Sequence, residues 1–152
     1  MEPQFVTKSA FTVVGLLLHT TPMNPQIPGL WDQFVPRIDE IPHMTEPQVS
    51  YGLMDNFDFQ QNRLDYMAGC RVEQADKLPA GMARWQIPAN TYAVFQATLS
   101  DIGETFDYIY NVWLPATGTQ QAAGPYFERY GESFNPHDPK LAKLDIYIPV
   151  KN

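Results

Sequence analysis

The chain has 152 residues, a size that fits one compact domain, and 44% of them are hydrophobic. Its formal net charge of −7 argues against direct binding of DNA or RNA, because phosphate binding needs clustered cations. The single cysteine, Cys70, cannot form an internal disulfide, and no stretch has the ~20 apolar residues of a membrane span. Since the N-terminus also lacks the pattern of a signal peptide, we expect a cytoplasmic protein without a membrane partner.

The first half of the chain predicts the order strand, strand, helix, strand, strand. Apolar residues recur at helical spacing over residues 27–41, where Pro36 limits or kinks the helix. Runs of apolar and β-branched residues predict the strands. These strands cover residues 5–18, as two short strands, and residues 49–54 and 64–72, with a polar loop over 55–62.

The second half predicts the same order again. The helix begins at Asp101, where Glu104 completes a pattern like a capping box, and we expect Pro115 to end it. One face of this helix carries Ile102, Phe106, Ile109, Tyr110 and Trp113. The strands are expected at residues 81–87, 91–98, 126–130 and 143–150.

The repeated order of elements favours an internal duplication. Asp65-Tyr66-Met67 aligns with Asp145-Ile146-Tyr147 at an offset of about 80 residues, the spacing that separates the two sets of elements. We therefore predict one α+β domain over residues 1–152, a duplicated β-β-α-β-β unit with repeats at about 4–75 and 80–150. An antiparallel sheet would carry two helices, and a ligand cleft would lie where the halves meet.

Common catalytic and cofactor motifs are missing from the sequence. The histidines His19, His43 and His137 lack the spacing of zinc ligands, and neither phosphate-binding glycine loops nor a nucleophile elbow occur. Cys70 lies in an apolar strand, which is typical of a small buried side chain rather than a nucleophile. We expect neither a metal nor a cofactor.

The remaining candidate is Glu128, within Tyr126-Phe127-Glu128-Arg129-Tyr130. Strand alternation places Tyr126, Glu128 and Tyr130 on one face. One interpretation is an exposed carboxylate paired with a cation such as Arg129 or Lys143. The other is a carboxylate at the floor of an aromatic pocket, which would bind a flat, apolar cation. The aromatic residues expected in the site are Trp31, Tyr51, Trp113, Tyr130 and Tyr147, with core packing as the alternative for the two tryptophans.

Three segments in order carry a resemblance to a known family. They are Trp113-Leu114-Pro115, Gly124-Pro125-Tyr126-Phe127-Glu128-Arg129-Tyr130 and Leu144-Asp145-Ile146-Tyr147-Ile148-Pro149-Val150. Together with first-half segments at residues 51–53 and 65–69, they resemble the GyrI-like, or AraC-type, effector-binding domains. This family contains drug-sensing domains of bacterial transcription activators and the DNA gyrase inhibitory protein.

The resemblance implies site residues. It implies that Glu128 is the pocket acid, and that Asp145 and Tyr147 of the last strand add an acid and a tyrosine to the pocket. Because only four residues precede Phe5, we expect a stand-alone domain without a DNA-binding unit of its own.

Three functions remain open at this point. The first is a binding module for amphipathic, aromatic and cationic small molecules. The second, implied by the resemblance, is a hydrolase of strained cyclopropane-containing toxins that uses the pocket glutamate. The third is a protein-binding regulator like the gyrase inhibitory protein, so a protein partner or a homodimer also stays open.

Overall fold

The computed structural model describes residues 1–132, 134, 138, 140 and 142–151, and His137 lies outside these described residues. The strands are β1 (Gln4–Lys8), β2 (Phe11–Thr20), β3 (Ser50–Asp58), β4 (Arg63–Val72), β5 (Ala83–Ile87), β6 (Asn90–Thr98), β7 (Tyr126–Tyr130) and β8 (Lys143–Pro149). The helices are α1 (Gln26–Phe34), α2 (Ile102–Tyr108) and α3 (Leu114–Thr117). A 3₁₀ segment at Val35–Glu40 follows α1, a 3₁₀ turn at Leu99–Asp101 precedes α2, and a π-helical turn at Ile109–Trp113 joins α2 to α3.

The eight strands form one antiparallel sheet in the order β1-β6-β8-β7-β3-β4-β2-β5. If the labels β1–β4 are exchanged one for one with β5–β8, the strand order becomes the same list read backwards. The two halves are therefore related by a pseudo-twofold axis between β3 and β7. The first strand of each half pairs with the other half, β1 with β6 and β5 with β2. The predicted α+β fold with a duplicated β-β-α-β-β unit is confirmed.

Both helical regions cover the same face of the sheet. Leu30 and Phe34 of α1 pack with residues of β2 and β4, whereas Ile109 and Trp113 pack with residues of β6 and β8. The opposite face is buried around an aromatic cluster that includes Phe11, Tyr51, Tyr92, Phe127 and Tyr147. Because side chains alternate between the faces of a strand, the register decides which residues of β7 and β8 face the helices.

The start of the second helical region differs from the predicted capping box. Thr98 and Asp101 form the box: the Asp101 N–H donates to the Thr98 side chain, and the Thr98 N–H donates to Asp101 Oδ1 at 2.8 Å. The pairing of Asp101 with Glu104 was therefore wrong by one turn. The reason is that a 3₁₀ turn precedes α2, so the cap lies three residues before the predicted position.

The end of this region also differs from the prediction, because Pro115 does not end it. Leu114 N–H donates to the Ile109 carbonyl five residues earlier, which is the π-helical spacing, and Pro115 then lies in the first turn of α3. Proline is tolerated in a first turn because its missing N–H has no partner there. The helical region ends at Gly118, whose φ of 68° is the left-handed conformation of a helix C-terminus.

The predicted loop over residues 55–62 is partly wrong, since β3 continues to Asp58. Its polar residues pair with β4 as far as Asp58 and Arg63, with an irregularity after Asp55 where Asn56 has a φ of 59°. Pairing with β4 satisfies the backbone hydrogen-bonding groups of this extension, although neither of its faces is hydrophobic. Because no face is hydrophobic, the sequence shows no alternating pattern there.

Among the described residues, no helix has both the length and the apolar composition to cross a membrane.

Candidate functional site

A large cavity lies between α1 and α2 above the centre of the sheet. Its volume is about 1120 Å³, and strands β3, β4 and β7 contribute to its wall beside the two helical regions. Apolar side chains such as Ile27, Ile38 and Ile102 line much of it. The described aromatic residues in its lining are Trp31, Tyr66, Phe106, Tyr110, Tyr126, Tyr130 and Phe134. A cavity of this size and composition can hold a drug-sized organic molecule.

Glu128 lies in the wall of this cavity and is only 6% exposed. It shares its face of β7 with Tyr126 and Tyr130, which also line the cavity, whereas Phe127 packs into the aromatic cluster on the opposite face. Alternation along β7 thus turns three neighbouring polar and aromatic groups towards the helices, in agreement with the sequence pattern.

Two tyrosine hydroxyls hold one oxygen of this carboxyl group. Tyr130 donates to Oε1 of Glu128 at 2.7 Å, and Tyr66 of β4 donates to the same atom at 3.3 Å. Trp31 Nε1–H donates in turn to the Tyr66 hydroxyl oxygen at 2.8 Å. Among the described residues, no hydrogen bond is made to Oε2, so this second oxygen is available to a proton or a ligand.

The environment changes the charge state of the carboxyl group. Burial raises the pKa of Glu128 to about 7, although the hydrogen bonds from Tyr130 and Tyr66 act in the lowering direction. Desolvation is therefore the dominant effect, and it opposes the charged form. Near neutral pH the site holds a mixture of neutral and ionised carboxyl groups.

Gly52 of β3 provides the space for this hydrogen-bonded group. It pairs directly with Glu128 across the β3–β7 ladder, at the centre of the sheet. A Cβ atom at this position would lie 2.8 Å from Glu128 Oε1 and would also collide with the Tyr66 hydroxyl. A residue without a side chain is thus needed where the carboxyl and the hydroxyl meet.

The described residues of the cavity lining include two acids and no base. Besides Glu128 there is Asp32, an exposed residue of α1, whereas none of the described lining residues is Lys, Arg or His. Arg129, which the first interpretation of the sequence paired with Glu128, extends to the opposite face and pairs with Glu46 at 3.0 Å. The cavity consequently has a negative character when Glu128 is ionised.

Three of the site residues proposed from the sequence come together here. Glu128 and Tyr130 are joined by a hydrogen bond, and the Trp31 ring meets the Tyr130 ring edge-on with centroids 5.3 Å apart. All three line the cavity. Trp31 reaches it because α1 buries Leu30 and Phe34 against the sheet and leaves Trp31 half-buried beside them.

The structure places Tyr51, Asp145 and Tyr147 on the opposite face of the sheet. Asp145 and Tyr147 do share one face of β8, but they pair with Arg129 and Phe127, and Ile146 is the residue that pairs with Glu128. The Tyr147 ring stacks on the Phe127 ring with centroids 4.6 Å apart, and the Tyr51 hydroxyl donates to Glu46 Oε1 at 2.6 Å. The antiparallel register separates all three from the Glu128 cavity, because paired residues share a face.

Trp113 lies on the helix side of the sheet but outside the cavity lining. It is 7% exposed and packs edge-on against Phe95 of β6 with ring centroids 5.1 Å apart. The π-helical turn that contains Trp113 also contains Tyr110, which does line the cavity. Trp113 therefore occupies the core position that was the alternative for it.

Sequence reasoning missed three tyrosines of the lining as site residues. Tyr126 could have been found from the alternation that places it on the same face as Glu128. Tyr66 belongs to a strand in which seven of the ten residues are buried, including an unbroken run of five, so alternation gave no signal. Tyr110 was assigned only to the buried helix face, since a π-helical turn is not visible in helical spacing.

The sequence profile of the GyrI-like small molecule binding domain matches residues 1–151. The transcriptional regulator BrlR of Pseudomonas aeruginosa is 38% identical to this chain over an alignment 154 residues long, which covers 99% of this chain. The chain spans 56% of the length of BrlR.

Solved structures share the fold at low sequence identity. The structure of SAV2435 bound to tetraphenylphosphonium superposes with a TM-score of 0.75 at 17% identity, covering 100% of this chain and 95% of SAV2435. The EcmrR C-terminal domain gives a TM-score of 0.69 at 18% identity, with 100% and 99% covered. A hydrolase from Listeria innocua gives 0.53 at 11% identity, with 99% and 92% covered. On the evidence of the profile match over almost its whole length, the chain belongs to the GyrI-like small molecule binding domain family.

Proposed function

We propose that the cavity binds amphipathic, aromatic cations, with Glu128 as their charge partner. The observation that carries this proposal is a buried carboxyl group in an aromatic cavity whose described lining contains no basic residue. A buried carboxylate without a cation is costly, so a bound cation would stabilise the charged form. Glu128, Tyr130 and Trp31 are the binding residues retained from the sequence, and Tyr66 and Tyr126 are added to them.

The shape and chemistry of the lining support the same class of ligand. The faces of tyrosine and tryptophan rings attract cations by about 0.5–2 kcal/mol each, and apolar side chains around them accept the hydrophobic part of such a molecule. SAV2435, which shares this fold, is bound to tetraphenylphosphonium in its solved structure. Tetraphenylphosphonium is therefore the first probe to use, and its charge does not depend on pH.

Thermal unfolding with matched ligands tests the proposal. At pH 8, tetraphenylphosphonium at about 100 times its dissociation constant should add ~2.7 kcal/mol to the free energy of unfolding and raise Tm by several degrees. Glu128→Gln keeps the size of the side chain and should remove most of this shift. The neutral triphenylphosphine oxide should affect both proteins alike.

The control variant is Glu104→Gln, because Glu104 is an exposed acid of α2 outside the cavity lining. It removes one negative charge from the protein without changing the site, and should therefore keep the full ligand shift. Equal stabilisation of wild type and Glu128→Gln by tetraphenylphosphonium would contradict a charge partnership with Glu128.

A hydrolase remains the second candidate, favoured by the pKa of Glu128 near 7, which suits general acid–base chemistry at neutral pH. Turnover of a cyclopropane-containing electrophile, lost in Glu128→Gln, would support it. Recovery of the compound unchanged after incubation would leave binding as the function.

We expect the protein to act in the cytoplasm, since its single cysteine, Cys70, is free and cannot form an internal disulfide.

A further inference from the structure

Trp31 contacts both side chains that hydrogen-bond to Glu128. Its Nε1–H donates to the Tyr66 hydroxyl at 2.8 Å, and its ring meets the Tyr130 ring edge-on at 5.3 Å between centroids. Trp31 belongs to α1, whereas Tyr66 and Tyr130 belong to β4 and β7. One helix side chain thus joins the two strands that hold the carboxyl group.

The chemistry of the indole fixes the direction of these bonds. An indole N–H can only donate, so the Tyr66 oxygen must be the acceptor and its own hydrogen is left for Glu128. A hydroxyl that accepts one hydrogen bond is polarised and donates a stronger second one. In agreement with this, the bond from Trp31 acts to lower the pKa of Tyr66, against the larger raising effect of burial.

We propose that Trp31 is a positioning residue that acts through Tyr66 to set the pH range in which Glu128 is charged and the cavity accepts cations. The consequence for ligands rests on the proposed function, whereas the effect on the carboxyl group does not. Trp31 is thereby more than an aromatic wall of the cavity, because its N–H determines how well Tyr66 stabilises the charged carboxylate.

Few other titratable groups lie near the Glu128 carboxyl group. The titratable groups around the carboxyl are Tyr66 of β4, Tyr126 and Tyr130 of β7, Tyr110 of the π-helical turn, Asp32 of α1, and Asp55 of β3, which acts on Tyr126. None of these is a cation, so the two tyrosine hydrogen bonds are the main interactions that favour ionised Glu128. Of the two, the bond from Tyr66 is the longer and the one that depends on Trp31.

The direct test follows the Glu128 carboxyl carbon by NMR in ligand-free protein labelled with ¹³C-glutamate, with Glu128→Gln identifying its signal. Trp31→Phe keeps a ring beside Tyr130 and removes the N–H. The titration midpoint of Glu128 should rise by about half a unit to one unit, since a weaker hydrogen bond to the charged form favours the neutral form. Trp85→Phe, in β5 and outside the cavity lining, is the matched control and should leave the midpoint unchanged.

A double-mutant cycle shows whether the effect passes through Tyr66. Tyr66→Phe should raise the midpoint at least as far as Trp31→Phe, and adding Trp31→Phe to Tyr66→Phe should cause no further rise. Trp31→Leu, which also lacks the N–H, should reproduce the shift and serves if Trp31→Phe does not fold. An unchanged midpoint in the folded Trp31 variants, or a shift that persists in full in the Tyr66→Phe background, would overturn the proposal.

Ligand binding provides a separate readout. For tetraphenylphosphonium, the ratio of affinity at pH 9 to affinity at pH 6 should be about three to eight times larger in Trp31→Phe than in wild type, because at pH 6 less of its Glu128 is ionised. A ratio equal to that of wild type would count against the proposal. If wild type binds no tetraphenylphosphonium at any pH, the proposed function fails for this probe, and the NMR titrations still decide the role of Trp31.

Discussion

At the scale of single residues, the site depends on one carboxyl group and the side chains that touch it. Alternation within Tyr126–Tyr130 was enough to place Glu128 and Tyr130 on one face, and helical spacing was enough to make Trp31 a candidate. The face of Asp145 and Tyr147 relative to Glu128 could not be obtained in that way, because it depends on the register between β7 and β8. Tyr66 was hidden for a related reason, since β4 is buried on both faces.

The stability of the fold should fall as the pH rises through the titration of Glu128. Its pKa is about 7 in the folded protein and 4.5 ordinarily, so the folded state holds more protons between these values. The contribution to the free energy of unfolding is fully present below pH 4.5 and is lost as the pH rises through about 7. From pH 5 to pH 8.5 this loss amounts to about 2–3 kcal/mol.

Urea unfolding of wild type and Glu128→Gln at these two pH values measures this effect. The variant cannot titrate at this position, so its free energy of unfolding should not share this loss. The difference, variant minus wild type, should therefore be more positive at pH 8.5 than at pH 5. The same difference at both pH values would mean that Glu128 has an ordinary pKa in the folded protein.

Gly52→Ala should disturb the Glu128 carboxyl group although the substitution itself adds or removes no charge. The new Cβ would push against Glu128 Oε1 and the Tyr66 hydroxyl, so we expect a loss of about 1–3 kcal/mol in stability and weaker binding of tetraphenylphosphonium. Gly29→Ala in α1 is the control, because no atom lies within 4 Å of its added Cβ. It should be neutral or stabilise by about 0.5–1 kcal/mol. Unchanged stability and affinity in Gly52→Ala would show that the carboxyl has room to move.

At the scale of elements, the sequence was sufficient to predict a helix or strand where a hydrophobic pattern marks it. It was insufficient where backbone hydrogen bonds alone determine the extent or type of the element. The strands at residues 64–72 and 126–130 and the start of α1 follow from apolar runs and spacing. The extension of β3 to Asp58 and the π-helical turn at Ile109–Trp113 follow from hydrogen bonds that leave no pattern. The π-helical turn matters for the site, because it carries both Tyr110 in the cavity and Trp113 in the core.

The capping box at the start of the second helical region can be tested directly. Asp101→Ala removes the acceptor of the Thr98 N–H and should lower the free energy of unfolding by about 0.5–2 kcal/mol. Glu104→Ala changes the exposed residue that the sequence pattern had selected instead, and should cost far less. Urea unfolding of both variants decides between the two boxes. A larger loss for Glu104→Ala would contradict the observed cap.

At the scale of the whole molecule, duplication explains where the cavity lies. The pseudo-twofold axis passes between β3 and β7, and this is where Gly52 and Glu128 pair. Each half contributes one helical region, and the space between α1 and α2 over these central strands is the cavity. The repeated order of elements was therefore enough to predict a cleft between the halves, whereas its lining required the register of the sheet.

The central claim is that Glu128, in its ionised form, binds a cation within this cavity. Calorimetric titration with tetraphenylphosphonium from pH 5.5 to pH 9 tests it most directly. Below about pH 7 the affinity of wild type should fall by up to about tenfold for each pH unit, since protonation of Glu128 removes the charge, and above it the affinity should level off. Glu128→Gln should bind weakly and equally at every pH. Strong binding by wild type that is independent of pH, or the same pH dependence in Glu128→Gln, would contradict the account.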